Sequence, residues 1–482
     1  MASDTREGLL YIDGERCKGS AGSFPVEDPA TGTVIGRAAK ATAEDARRAV
    51  DAAAAAFPAW SKMPGPERAA ILRRVADRIM ARSEEIARVM TAEQGKPLAE
   101  ARGEVRISAD YFSWNGEEAR RIYGDLIPAS TNQKRLLVLR QPVGVTAAIT
   151  PWNFPASMLA RKIAPALAAG CTVVCKPASA TPLTACALFD AMEEAGLPKG
   201  VANLVTGPAG AVVGAWMDDG RVRKVSFTGS TEVGKELMRG AAAQMKRVSL
   251  ELGGHAPFLI FADADLDAAA AGLVMSKFRN AGQTCICANR LYVERTVAEE
   301  LAQRIRHQVE KLKVGPGAQE GVEVGPLIDH EAVQKVHAQV QDAVSRGGRV
   351  LCGGHALREG AFAQGHFYAP TVVTDLPYDA LVAREETFGP LIGLWPFDTE
   401  EEAIALANDT PYGLASYVYT QNLGRAFRVA EGLEYGIVGL NDPVPTVAQA
   451  PFGGVKESGV GREGGYEGVL AYLETKFVSM VL

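Results

Sequence analysis

Apolar residues along this chain fall into two alternating rhythms. Over residues 42–57 and 66–95 they recur at helical spacing, and the punctuation agrees: Thr42 with Asp45 three residues on makes an N-cap, and Pro66 suits a first helical turn. From about residue 143 onward, short apolar and β-branched runs (143–150, 171–175, 222–227, 248–252, 257–261) take turns with helix-like segments. Runs without polar alternation belong to strands buried on both faces, so the pattern predicts an α/β fold with a mostly parallel sheet covered by helices on each side. Residues 122–140 break the rhythm: Leu136, Leu137, Val138 and Leu139, bracketed by charged and turn residues, read as an antiparallel ribbon, and 471–482 reads as a last strand ending on apolar residues. Such edges need cover, which predicts a homo-oligomer; a ribbon folded back on its own domain is the alternative.

Length sharpens this to two or three domains, because 482 residues exceed what one core serves. The formal net charge of −6 offers no basic surface, so nucleic acid and anionic membranes are not expected partners. The N-terminus has no signal-peptide pattern, and the longest apolar stretch, 163–175, is interrupted by Pro165 and Gly170 and falls short of a bilayer span. Seven cysteines, odd in number and scattered, fit a reducing compartment, and the expected location is the cytoplasm. Asp263, Asp265 and Asp267 have the spacing of a calcium loop, but Ala268 stands where glycine is required and Val274 where the bidentate glutamate belongs. No metal is expected; the three acids read as a solvated helix start.

Four segments carry candidate chemistry. In F-R-N-A-G-Q-T-C-I-C (278–287) Cys285 follows a glycine turn, between a helix-like run at 268–281 and a strand-like one at 291–294, so its thiol sits in a loop and is available for reaction. F-T-G-S-T-E-V-G (227–234) leads from a strand into a helix-like run at 235–246 and presents free N–H groups suited to a pyrophosphate. It has only Gly229 and Gly234 of the dinucleotide fingerprint, so a purely structural turn stays open. In T-P-W-N-F-P (150–155) Asn153 is an amide among aromatics that needs a partner, structural or a developing oxyanion. Glu251 lies in an apolar strand ending on two glycines; burial would raise its pKa toward that of a general base, and a surface-facing glutamate is the alternative. None of the six histidines falls in a catalytic motif, His307 lying in a charged helix-like run and His255 after E-L-G-G, which argues against a thiol hydrolase.

A loop thiol, a carboxylate to activate water, an amide to hold an oxyanion and a nucleotide turn together describe oxidation of an aldehyde through a covalent thioester. The motifs P-W-N-F-P (151–155), F-T-G-S (227–230), E-L-G-G (251–254), G-Q-T-C (282–285), E-E-T-F-G-P (385–390) and P-F-G-G-V-K-E-S-G (451–459) occur in one order, and in this the chain resembles the aldehyde dehydrogenase superfamily along its whole length. The resemblance implies a Rossmann-type cofactor domain in two parts (1–122 and 143–252), an oligomerisation ribbon (123–142), an α/β catalytic domain (253–451) and a C-terminal return segment with an oligomerisation strand (452–482), in a dimer or tetramer. It implies Cys285 as nucleophile, Glu251 as base, and Asn153 with the backbone N–H of Cys285 as oxyanion hole. Trp152, Lys176 and Ser179 fall near the adenosine ribose, Gly229 and Ser230 at the pyrophosphate, and Glu386 with Phe388 around the nicotinamide. A catalytically silent relative would have lost one of the three catalytic residues, and a coenzyme-A-acylating enzyme would not need Glu251.

Two choices remain within that resemblance. Strictly NAD-dependent relatives often carry glutamate where this chain has Ser179; serine removes the repulsion of a 2′-phosphate, and Lys176 can pair with one, so NADP is accepted while NAD is not excluded. Arg161, Arg279 and Thr446 stand where broad-range aldehyde dehydrogenases are commonly aromatic, and two guanidiniums with a hydroxyl would clamp a carboxylate on a short ω-carboxy aldehyde. These arginines, E-Y-G-I-V-G-L-N (434–441) and G-R-E-G-G (461–465) resemble succinate-semialdehyde dehydrogenases; Thr446, where those usually have serine, keeps glutarate and 2-oxoglutarate semialdehyde open. Structural ion pairs are the alternative for both arginines. Cys287 is a candidate redox switch through a disulfide with Cys285, or a bystander.

Overall fold

The computed structural model describes residues 6–482. Helix α1 (Ala43–Lys62) opens on a complete capping box, Thr42 Oγ1 accepting from Asp45 N and the Asp45 carboxylate accepting from Thr42 N. The helical periodicity over 66–95 divides at Arg82 into α2 (Gly65–Ala81), with proline in its first turn, and α3 (Ser83–Gln94), closed by left-handed Gly95. Helix α4 (Leu98–Glu118) has no clear apolar stripe because its buried face mixes Ala101, Val105 and Phe112 with Glu104, Ser108 and Asn115. That muted pattern is why the sequence did not single it out.

The fold is α/β and built on two large sheets. In the first, five parallel strands lie in the order Arg247–Glu251, Val222–Thr228, Val145–Ile149, Thr172–Lys176, Ala202–Leu204, with Gly459–Val460 antiparallel at one edge and Leu10–Ile12 and Glu15–Cys17 at the other. Strands Val145–Ile149 and Thr172–Lys176 are buried throughout, as unbroken apolar runs require. Separate apolar cores fill the two faces, one built on α1 and Trp216, the other on α2, α4 and α5 (Ser157–Ala169). Chain order reverses between Val145–Ile149 and Val222–Thr228, so the ends of these two strands flank the switch-point crevice where doubly wound sheets bind nucleotides.

The second sheet runs Arg349–Cys352, Thr371–Thr374, Leu391–Phe397, Ala288–Glu294, Ala256–Ile260, Ala415–Tyr419, Ile437–Leu440, parallel except at Arg349–Cys352. A third, small sheet joins Lys134–Pro142 to the terminal strand Leu473–Val481 in unbroken antiparallel register, with Asp125–Ile127 on its other side. Leu126, Phe477, Val481 and Leu482 are all well exposed on it.

Candidate active site

The helix expected over 268–281 stops at Phe278, because Asn280, Ala281 and Gly282 all turn left-handed (φ +51°, +54° and +75°). A left-handed alanine costs about 1 kcal/mol or more and persists only if its surroundings hold it. Here Asn280 is the staple. Its N–H donates to Glu100 Oε2 (2.8 Å), its Nδ2 to the Asn153 carbonyl (2.9 Å), and its Oδ1 accepts from Gln94 Nε2 (2.9 Å). Gln283 completes the loop by donating to the carbonyls of Asn280 and Pro326 and accepting from Ile328 N. A side chain at Gly282 would meet the Gly389 carbonyl at 2.2 Å, and one at Gly254 the Cys285 carbonyl at 2.3 Å, so both glycines are forced by close approach.

This loop delivers Cys285, half-buried, to the junction of two cavities. Burial pushes its thiol up to about 12; Arg161 pulls the other way, while Glu386 and Glu251 add to the rise. The adjoining turn is fixed from α4 and the residues before it: Lys96 Nζ donates to the Asn153 carbonyl (2.7 Å) and pairs with Glu104, whose other oxygen accepts from Ala156 N and Ser157 N at the start of α5. Asn153 Nδ2 donates to the Gln283 carbonyl (3.0 Å), which orients the amide beside Cys285 and leaves a second N–H for another acceptor.

Glu251 ends its strand fully buried, and neither carboxylate oxygen has a hydrogen-bond partner among the described residues. Burial and then the nearby Glu463 raise its pKa well above the ordinary range, against the pull of Arg161 and Lys162. Glu463 pairs with Arg161 and Lys162 and accepts from Ser226, so charge compensation holds its pKa down despite burial.

One of the two cavities, about 540 Å³, lies at the switch point and is lined by Pro151–Asn153, Thr228–Ser230, Glu386, Phe388 and Cys285. Ser230 caps helix Thr231–Ala242. A Cβ on Gly229 would fall 2.3 Å from the Phe227 ring, and one on Gly234 2.4 Å from Leu252, so these two glycines alone give the close turn that the six-residue fingerprint usually supplies. Trp152 meets Phe388 edge-on, and Phe388 is itself left-handed (φ +52°). Glu386 accepts from Gly254 N (3.0 Å), and burial pushes its pKa up to about 7. Thr387 Oγ1 faces this crevice buried and without a partner among the described residues, which fits a polar ligand such as a dinucleotide. Lys176 and Ser179 lie beyond the cavity wall at the end of the adjoining strand, Lys176 donating to the Pro177 carbonyl and Ser179 exposed with a long contact to the Gly207 carbonyl (3.4 Å). Burial lowers the Lys176 pKa to about 8.

The other cavity, about 310 Å³, brings Arg161, Arg279 and Thr446 together with Cys285. Arg279 stacks over Phe154 and forms no salt bridge among the described residues; Glu100 shares the wall, its pKa raised by burial and drawn back down by the nearby Arg279 charge. Thr446 Oγ1 is buried and unpartnered. Arg161 differs: its Nε donates to Glu463 Oε2 at 2.9 Å and its guanidinium lies 3.9 Å over Phe452, so it is both ion-paired and cavity-lining. Cys287 lines neither cavity; its Sγ contacts the Gly282 carbonyl (3.2 Å) and Lys277 Nζ (3.6 Å), contacts that a disulfide to Cys285 would have to break. Asp263 is less solvated than its spacing suggested: it gathers Thr420, Gln421, Asn422 and Arg425.

Sequence reasoning missed Gln94, Lys96, Glu100, Glu104, Lys162, Asn280 and Glu463. Their one signal is polar residues at inward positions of helical or glycine-rich runs.

Comparison with known proteins agrees with this geometry. Residues 17–478 match the model of a family described as the aldehyde dehydrogenase family. The chain is 52% identical to the glutarate-semialdehyde dehydrogenase of Pseudomonas putida, over 97% of this chain and 96% of that one. It is also 52% identical to the NADP+ succinate-semialdehyde dehydrogenase GabD of Escherichia coli, over 98% and 97%. The crystal structure of succinate-semialdehyde dehydrogenase from Burkholderia pseudomallei superposes with a TM-score of 0.97 at 47% identity, covering 100% of this chain and 99% of that one.

Proposed function

The chain belongs to the aldehyde dehydrogenase family, and from that premise we propose that it oxidises a short aldehyde bearing a carboxylate at its far end, first of all succinate semialdehyde to succinate. The observation that carries the substrate class is one cavity in which Cys285 shares walls with Arg279, free of any ion-pair partner among the described residues, and with the unpartnered Thr446 hydroxyl. Anion recognition needs a cation not tied up in a salt bridge and a spare donor, and both line this cavity. Glutarate semialdehyde is the second reading, favoured by the likeness to the Pseudomonas putida enzyme and by threonine at 446.

Cys285 acts as nucleophile. Burial holds the thiol neutral, so its proton passes through water to the Glu251 carboxylate, which releases it to solvent before hydrolysis, and the thiolate adds to the aldehyde carbon. The oxyanion of the thiohemiacetal is received by the free N–H of Asn153 Nδ2, an amide already oriented by Gln283, and by the backbone N–H of Cys285. NAD(P), when bound, supplies the hydride acceptor that turns this adduct into a thioester. Trp152, Gly229, Ser230, Glu386 and Phe388 would hold it in the crevice, with Lys176 and Ser179 at the adenosine ribose. Glu251, stripped of partners, takes a proton from water, whose oxygen attacks the thioester; the C–S bond breaks, and the acid leaves as the Cys285 thiol is restored.

A second copy of the chain covers the exposed apolar residues of the ribbon, giving a dimer or tetramer; nine paired positions ending on exposed Val481 support this. Seven free cysteines support a cytoplasmic setting. The test of the activity is steady-state oxidation of succinate, glutarate and 2-oxoglutarate semialdehydes beside propanal with each cofactor. Equal efficiency for propanal and the semialdehydes would refute the substrate class.

A further inference from the structure

Arg161 faces two ways. Its side chain lines the cavity that holds Cys285, yet its Nε is committed to Glu463, deep between the sheet and the return segment. Glu463 in turn serves Lys162 and Ser226 through its other oxygen. Two cations therefore share one acid, and the surplus positive charge acts on what lies nearest: the cavity on one side and Glu251 on the other. Glu251 has no hydrogen bond of its own among the described residues, and its oxygen lies against the bare Cα of Gly453, where a Cβ would approach to 2.7 Å. Its protonation is thus set by burial and by the charges around it, with no hydrogen bond to fix it. The groups that face it are Arg161 and Lys162 from α5, Arg462 and Glu463 from the return segment, Tyr111 from α4 and Cys285 from the catalytic loop.

We propose that Arg161 is a positioning residue that couples the substrate's far-end carboxylate to the general base: a carboxylate bound in the cavity takes a share of the guanidinium that otherwise stabilises ionised Glu251, and so makes Glu251 the stronger base toward water. The inference rests on the reading above that the substrate carries that carboxylate. The sign follows from charge. Arg161⁺ favours the Glu251 carboxylate; partial neutralisation of Arg161 by an anion disfavours it, so the proton that water gives up is held more tightly. Arg279 lines the same cavity but has no bond to Glu463, so it binds the anion without relaying it. A neutral acyl group of the same length leaves Arg161 undisturbed and Glu251 the weaker base.

The test uses the full-length protein with cofactor. Acyl-enzyme is formed from succinate semialdehyde or from butanal, and its hydrolysis is followed by rapid quench across the acidic limb of the pH profile. In the wild type, the apparent pKa for hydrolysis is expected to be higher for the succinyl than for the butyryl enzyme by about half a pH unit or more, a shift typical of a nearby charge change. The gap should collapse in Arg161→Gln. Should Arg161→Gln fail to fold, Arg161→Lys keeps the charge but cannot span Glu463 and the cavity with one donor group, and at least half of the gap should disappear. Coincident pKa values in the wild type, or a gap that survives intact in the Arg161 variants, would overturn the proposal. Its failure is distinct from failure of the substrate reading, which would appear as equal kcat/KM for butanal and succinate semialdehyde.

Discussion

Cys285 gathers most of the chemistry, and its environment makes a definite demand. With the thiol pushed up to about 12 by burial, alkylation of the free protein by iodoacetamide should accelerate with rising pH well past the range of an ordinary cysteine, and cofactor binding should shift that dependence. A rate that levels off near neutral pH would mean the loop already holds a thiolate. Lys176 offers a second titration. Its ammonium is the form that pairs with a 2′-phosphate; burial lowers its pKa to about 8, so affinity for NADP should fall as pH rises through that value, while affinity for NAD stays level. Fluorescence titration of both cofactors at about pH 7 and about pH 9 separates the two, and Lys176→Met should weaken NADP by about tenfold while leaving NAD nearly unchanged. At this scale the thiol and the carboxylate were readable because each breaks a local rule, a thiol beside a glycine turn and a carboxylate in an apolar strand, whereas Arg161 and Arg279 were legible only through the family resemblance. Glu463 was not, since nothing in G-R-E-G-G says that its carboxylate is buried between Arg161 and Lys162.

Among the elements, the catalytic loop is the one whose shape is least evident from its residues. Three successive left-handed residues cannot be read from R-N-A-G, because Ala281 has no preference for that region and is held there by partners drawn from α3, α4 and the turn after Val145–Ile149. Asn280→Ala removes the side-chain bonds to Gln94 and Asn153 together and leaves only the backbone N–H to Glu100. It should cost about 2–3 kcal/mol in stability, read as a lower Tm, and should lower kcat by more than tenfold through misplacement of Cys285 and Asn153. An unaltered Tm would show that the loop holds itself. Four of the five parallel strands of the first sheet, by contrast, were legible to within two residues, since burial imposes unbroken apolar runs, while the three-residue Ala202–Leu204 and the antiparallel edge strands were too short to stand out. Helix α4 was hidden by its own buried polar face, which is the face that braces the site through Glu100 and Glu104.

For the whole molecule, the doubly wound order of the first sheet sets the crevice, and the return segment closes the site by bringing Glu463 and Phe452 back to it. The ribbon stands apart as a sheet of its own. Phe477→Glu places a charge on its exposed apolar face and, on the proposed assembly, should convert oligomer to monomer in light scattering, with little loss of secondary structure by circular dichroism. Unchanged mass would move the interface elsewhere.

The claim on which the rest depends is that this cavity was built for an aldehyde with a negative charge at its far end. The most direct measurement is the ratio of kcat/KM for succinate semialdehyde to that for butanal, in the wild type and in Arg279→Ala. The expected result is a ratio well above one that falls by about a hundredfold or more on removing the guanidinium, through loss of the charged substrate alone, as expected when one partner of a desolvated ion pair is deleted. A ratio that stays the same in Arg279→Ala, or a wild type that does not discriminate between the two aldehydes, would contradict it.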